Sequence, residues 1–251
     1  MKMNNNVPQD LNDSSSPYLP PSRGILKERL IRLRFNAVYR IWKRMIRKYS
    51  YAYNNGDAKL SFLDVGCGPG NFLYCLKSWF KDADICGLDA NQHLLKYAGD
   101  HTSSIKLWQG SAENMLFAPE TFDVVSGFHV IEHLPTPENF LCQANRILKD
   151  NGLLLLATPN TKSLAARMTG TRWIGFREDH ISLRSAKQWQ QALEENGFII
   201  LSQGTTFFRG IPIIGQFPIE LPFLLMQSFV GWLPWQSGAS YMAVAVKNKK
   251  Q

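Results

Sequence analysis

Residues 60–71, LSFLDVGCGPGN, constrain this chain more than any other stretch. Leu60, Phe62, Leu63 and Val65 form an apolar strand with one acid, Asp64, near its end. Gly66, Gly68 and Gly70 then recur at every second position before an apolar helical run that starts at Phe72. The pattern is strand, tight turn, helix start. Glycine allows positive φ and lets a ligand lie against bare main chain, while the free amides of a helix start favour an electron-rich group. A flat or anionic ligand is therefore expected on this turn. It does not match the dinucleotide fingerprint G-x-G-x-x-G, whose third glycine would fall at position 71, which is Asn71.

With Asp64 two residues upstream, the G-x-G-x-G spacing instead resembles the first motif of the class I S-adenosylmethionine-dependent methyltransferases. Downstream segments extend the resemblance over residues 60–160. ADICGLDA reads as a second strand ending at Asp89, 19 residues beyond Gly70. An acid at that strand tip overlooks the same crevice as the glycine turn and can accept hydrogen bonds from a ribose diol. GSAENMLFAPETFDVVSGF resembles the family pattern G-D-A-E-x-L-P-F followed by a fourth strand. E-H-L and L-K-x-x-G-x-L-x-L-x-x-P-N follow, in HVIEHL and ILKDNGLLLLATPN.

The resemblance implies a Rossmann-like, doubly wound α/β sheet of seven strands, mostly parallel with an antiparallel last strand, and S-adenosyl-L-methionine as cofactor. It implies a cradle made of Asp64, Gly66, Cys67, Gly68, Gly70, Asp89, Ala90, Asn91, Ser111, Ala112 and Phe128. Within it Asp89 would hold the ribose, Ala90 and Asn91 would line the adenine, and Phe128 would face the sulfonium, where a ring favours a cation. Asn91 can equally be the N-cap of the helix in NQHLLKYA. Ser111 stands where the family's usual Asp meets the adenine amino group, and a hydroxyl accepts that hydrogen bond without charge assistance.

A neutral hydroxyl acceptor needs a base, and the histidines are the candidates. His180, in REDHISLRS, lies in a segment expected to overhang the substrate; His133 is the second candidate. His129 to His133 spell H-x-x-E-H, which on paper matches an inverted zinc-protease motif. A protease helix is excluded by Pro135, two residues later. Ubiquinone-pathway O-methyltransferases, which the chain resembles, carry E-x-x-E-H here and can hold a cation. With His129 in place of the first Glu a hard-cation site is poorer, and no metal is expected. Glu132 and His133 are equally readable as polar groups that order a helix start.

The acceptor is narrowed by absence. No [DN]-P-P-[FYW] follows the fourth strand and no Pro-Cys nucleophile is present, so oxygen on a small, apolar or lipid-like molecule is the preferred acceptor. Carbon or a small amine stays open. The alternatives are an RNA methyltransferase and a non-catalytic cofactor-binding partner protein.

Around the expected domain (59–248), residues 1–24 read as a polar disordered tail. Residues 25–58 read as a basic amphipathic helix and linker. Leu26, Leu30, Leu33, Ala37, Ile41, Met45 and Tyr49 recur at helical spacing. Between Ile25 and Ser50 nine cations face one anion, a local excess equal to the +8 of the whole chain. The rest of the molecule sums to about zero, so no broad nucleic-acid face and no nucleic-acid partner are expected. Two insertions are expected in the domain. One, at 161–185, is a loop and helix over the strand ends; the other, at 205–238, is apolar. Residues 211–235 hold one charge, Glu220, and prolines at 212, 218, 222 and 234, too broken for a membrane-spanning helix. That segment and residues 25–49 are the candidates for peripheral membrane contact. The four cysteines show no C-x-x-C pairing and no signal peptide is legible, which fits a reducing cytoplasm. Oligomeric state is open.

Overall fold

The computed structural model describes residues 36, 38–50, 59–102, 105–206 and 237–248. The expected disordered tail, residues 25–35, the linker at 51–58 and the apolar segment at 207–236 lie outside them.

Seven strands form one sheet: β1 (Ser61–Val65), β2 (Asp84–Asp89), β3 (Lys106–Gln109), β4 (Phe122–Phe128), β5 (Leu148–Pro159), β6 (Phe198–Thr205) and β7 (Ser240–Lys247). Their order is β3-β2-β1-β4-β5-β7-β6. β1 pairs in parallel with both β2 and β4, and β4 with β5, whereas β7 inserts antiparallel between β5 and β6. This is the expected doubly wound sheet with its last strand reversed. The order reverses on either side of β1, and the crevice at such a switch point, beyond the carboxyl ends of the strands, is where open α/β sheets take ligands.

Both faces are covered, so the central strands are apolar without alternation. In β5, Leu154 and Leu156 face one core with Phe140, Leu141 and Ile147 of α4 (Pro137–Ile147) and Trp189 and Leu193 of α6 (Ala186–Glu195). Leu153 and Leu155 face the other. There they meet α2 (Asn71–Trp79), Leu95 of α3 (Gln92–His101), and Ile41, Trp42, Met45 and Ile46 of α1 (residues 38–50). The apolar stripe of α1 is thus packed on the domain, while Arg40, Arg44, Arg47 and Lys48 are exposed.

Local signals set the helix ends. Pro137 opens α4, and Ser185 and Gln188 form a capping box that opens α6. Gly197, at φ 79, follows α6. The sequence predicts α4 through Lys149; it stops at Ile147 because buried Leu148 is drawn into pairing with Phe122. After β5 the chain makes α5 (Leu164–Thr169) and a 3-10 turn, Gly170–Arg172, then returns so that Asn160 bridges Arg184. The Ser182 N–H donates to the Glu132 carbonyl at 2.9 Å. The 161–185 segment therefore returns to the chain that follows β4 and to the end of β5.

Candidate active site

The glycine turn has the backbone its sequence requires. Gly66, Gly68 and Gly70 all have positive φ, at 65°, 52° and 81°. The reasons for glycine differ. A Cβ on Gly66 would collide with Val130, whereas one on Gly68 would meet nothing within 4 Å. Gly66 lets two loops pack together, and Gly68 keeps a stretch of main chain bare toward open space.

Asp89, at the tip of β2, is joined to that bare stretch. One of its carboxylate oxygens accepts the Gly68 N–H at 2.7 Å and the other accepts the Asn91 N–H at 2.8 Å. Burial pushes the Asp89 carboxyl up, against the opposing pull of the amides of Asn91, Gly68 and Ala90. A carboxylate offers about four acceptor sites, so a diol can still bind one already held in place by these amides.

Asn91 is buried and caps α3, its side-chain oxygen accepting the N–H groups of His93 and Leu94. Ala90 is exposed beside it, and its carbonyl accepts from Gln109 at 3.3 Å. Exposed Ser111 accepts the Glu113 N–H at 3.1 Å, and Ala112 is buried behind it.

Asp64 lies buried beneath the turn, where it accepts the Ser126 hydroxyl of β4 at 2.7 Å. Burial pushes its carboxyl up to about 7; the Ser126 hydrogen bond opposes the shift and the nearby Asp89 charge adds to it. Cys67 is buried as well. Burial, with the charges of Asp64 and Asp89, pushes its thiol well up, so it stays a small neutral side chain.

Phe128 ends β4 half-buried in an aromatic cluster. Its ring centroid lies 4.5 Å from Trp42, 4.8 Å from Phe72 and 5.9 Å from Tyr39, the last pair stacked. Helix α1 is thereby fastened next to the glycine turn, a placement of Tyr39 and Trp42 that periodicity alone does not reveal.

Beyond β4 the sequence's two separate histidine candidates meet. The rings of His133 and His180 lie 4.7 Å apart, edge to face. His133 Nδ1 is 2.9 Å from the Asp179 carbonyl and His180 Nδ1 is 2.8 Å from the Gly175 carbonyl. A carbonyl only accepts, so both rings carry the proton on Nδ1 and leave Nε2 bare. Fully buried Glu132 adjoins them, and the three offer ligand atoms within 4.8 Å of one another. Both Glu132 oxygens already accept hydrogen bonds, from His129 Nδ1 at 3.1 Å and the Thr158 hydroxyl at 3.0 Å. The H-x-x-E spacing was the signal for the His129–Glu132 pair.

The sequence profile of a methyltransferase domain matches residues 35–203, about two thirds of the chain. The chain belongs to the methyltransferase domain family. This methyltransferase is of the class I, S-adenosylmethionine-dependent kind, whose sheet it reproduces strand for strand. It is similar to the ubiquinone biosynthesis O-methyltransferase of Maricaulis maris, 33% identical over 64% of this chain and 66% of the relative. It is also similar to that of Cereibacter sphaeroides (strain ATCC 17025), 34% identical over 46% and 48%. The methyltransferase thus spans between about half and two thirds of the length of these curated relatives. Among solved structures it resembles the plantazolicin methyltransferase BamL, crystallised with a triazolic desmethylPZN analog and SAH, at a TM-score of 0.63 and 19% identity over 89% of this chain and 91% of that one. It likewise resembles a Thermotoga maritima protein described as a SAM-dependent, possible histamine N-methyltransferase, at 0.58 and 18%, covering 89% and 95%. At these identities the likeness is one of fold.

Proposed function

We propose that this methyltransferase transfers the methyl group of S-adenosylmethionine directly to an oxygen of a small, apolar or lipid-like acceptor. The observation that carries the reading is the clasp between Asp89 and Gly68, a preorganised carboxylate beside bare main chain at the switch point of the sheet. The amino-acid end of the donor would lie on the turn, its sugar on Asp89 and its adenine against Ala90, Asn91, Ser111 and Ala112. In-line displacement at a sulfonium methyl mainly requires that the acceptor atom be held about 3 to 3.5 Å away in a dry site.

Oxygen is favoured because the 161–185 segment brings two histidines with bare Nε2 atoms to the acceptor end, where they can orient a hydroxyl. The curated relatives, named as ubiquinone O-methyltransferases, support the same class. An apolar acceptor would be met at a membrane surface on the cytoplasmic side. The 161–185 segment suits that setting, since Met168, Ile174, Phe176 and Ile181 are exposed among the cations Lys162, Arg167 and Arg172. No helix among the described residues is long and apolar enough to cross a membrane.

The test is a mass-spectrometric search, in cell extracts given the protein and methyl-labelled donor, for a labelled small molecule. A labelled apolar metabolite whose new methyl is on oxygen supports the reading. Label confined to RNA, or no label despite donor binding, refutes it in favour of an RNA methyltransferase or a non-catalytic binder.

A further inference from the structure

Directly after Phe128 the chain places His129 at φ 56, a left-handed conformation uncommon for a side-chain-bearing residue. The parallel register pairs Val65 with Gly127, so His129, two residues on, stands level with the glycine turn. Val130, next in the chain, is the side chain packed against Gly66. The His129 N–H is fixed to the Ala157 carbonyl at 2.7 Å. Its side chain is 47% exposed, while its partner Glu132 is fully buried. A buried carboxylate needs compensating partners, and Glu132 has two: the Thr158 hydroxyl on one oxygen and His129 Nδ1 on the other. Although burial raises the Glu132 carboxyl, the His129 hydrogen bond opposes it and the group lies below its ordinary value, so it is an anion. An anionic carboxylate only accepts, so the neutral His129 ring carries its proton on Nδ1 and presents a bare Nε2 at the partly open side of the ring. A buried carboxylate that orients an imidazole and balances the imidazolium it becomes is a general-base arrangement.

We propose that His129 takes the acceptor's hydroxyl proton during methyl transfer and that Glu132 is its positioning residue; this rests on the O-methyl transfer proposed above. As the O–C bond forms and the C–S bond breaks, the hydroxyl proton passes to His129 Nε2. The C–S electron pair goes to sulfur and cancels its positive charge, and the new imidazolium charge is balanced by Glu132. His180, whose Nδ1 is held by the Gly175 carbonyl, and His133, whose Nδ1 is held by the Asp179 carbonyl with the half-exposed Asp179 carboxylate 3.5 Å away, have no buried carboxylate on Nδ1 and orient the acceptor.

The experiment pairs turnover with a spectroscopic readout. His129→Asn suits the site because Asn tolerates the left-handed backbone, and an unchanged thermal midpoint verifies folding. Product SAH is measured with catechol and with 4-nitrocatechol, which is already ionised at pH 8. Loss of roughly 100-fold or more on catechol, with 4-nitrocatechol kept within a few-fold, supports the proposal. Equal loss on both, or no loss, overturns it. Nitrogen-15 histidine spectra of the full chain, assigned by His129→Asn, must show His129 protonated at Nδ1 and bare at Nε2, and Glu132→Gln must mix the two tautomers, because an amide can turn either its oxygen or its NH2 toward the ring. An Nε2–H tautomer in the wild type overturns the proposal irrespective of acceptor. If the wild type turns over neither catechol, it is the acceptor class that fails, and the spectrum alone decides the role of His129.

Discussion

The Asp89 carboxylate accepts the Gly68 main-chain N–H at 2.7 Å, so the acid that ends β2 and the bare apex of the glycine turn form one rigid unit. Exchanging the carboxylate for an amide in Asp89→Asn keeps the shape but removes charge-assisted bonds to a ribose and turns an NH2 toward either the Gly68 or the Asn91 N–H. We expect donor affinity to fall about 10- to 100-fold, or roughly 1.5 to 3 kcal/mol. Calorimetry with S-adenosylmethionine and with SAH checks this. Unchanged affinity for both would remove Asp89 from the site.

Two glycines of the same turn separate folding from binding. Gly66→Ala meets both the Val130 side chain and a positive φ, so it should destabilise the fold by at least about 2 kcal/mol. Gly68→Ala has only its backbone conformation to strain, at about 1 kcal/mol. Its methyl, however, enters the space where the donor would lie. The expected outcome is a large drop in unfolding midpoint with little relevance to ligand for the first variant, and a small drop with lost donor binding for the second. Denaturant melts alongside calorimetry distinguish them.

These contrasts mark where the sequence was legible. β5 was readable because four consecutive leucines buried on both faces leave no other assignment, and Asp89 because its distance from Gly70 is the length of one helix and one strand. The meeting of His133 with His180 was not. They are 47 residues apart in the sequence, and the return path of the loop between them is set by single contacts such as Ser182 to Glu132. Periodicity identified α1, but nothing in a basic amphipathic pattern says whether its apolar face meets a core or a lipid. Trp42 against Phe128 settles that for residues 38–50. Asn91 shows the same ambiguity at one position, since a cap and an adenine neighbour require the same residue type.

Asp64 makes the stability of the fold depend on pH. Its carboxyl is raised from 3.8 to about 7 in the folded chain, so the folded state holds this proton more tightly than the unfolded state does. For such a group stability is greatest below about pH 4 and declines as pH rises through the interval to 7, by up to roughly 4 kcal/mol. Asp64→Asn keeps a partner for the Ser126 hydroxyl and removes the ionisation. The difference in unfolding free energy between variant and wild type should therefore shift in the variant's favour from pH 4 to pH 8. A difference independent of pH would show that Asp64 is not the titrating group.

The exposed apolar side chains of the 161–185 segment put the proposed membrane contact to the test. Ile174 and Ile181 are 71% and 58% exposed, and neither packs into the small cluster of Ala165, Ala166, Trp173 and Ala239 beneath them. Burying three such groups in a lipid interface is worth several kcal/mol before the cost of binding, and each nearby cation adds about 1 kcal/mol at an anionic surface. Replacing Ile174, Phe176 and Ile181 by Ser should leave the unfolding midpoint nearly unchanged, since surface positions contribute little to stability. Recovery with phosphatidylglycerol-containing vesicles in flotation should fall severalfold, and recovery with neutral vesicles should be low for wild type and variant alike. Equal recovery of both proteins on anionic vesicles would assign membrane contact to another part of the chain, and truncation of residues 1–35 would then show whether the basic amino-terminal stretch provides it.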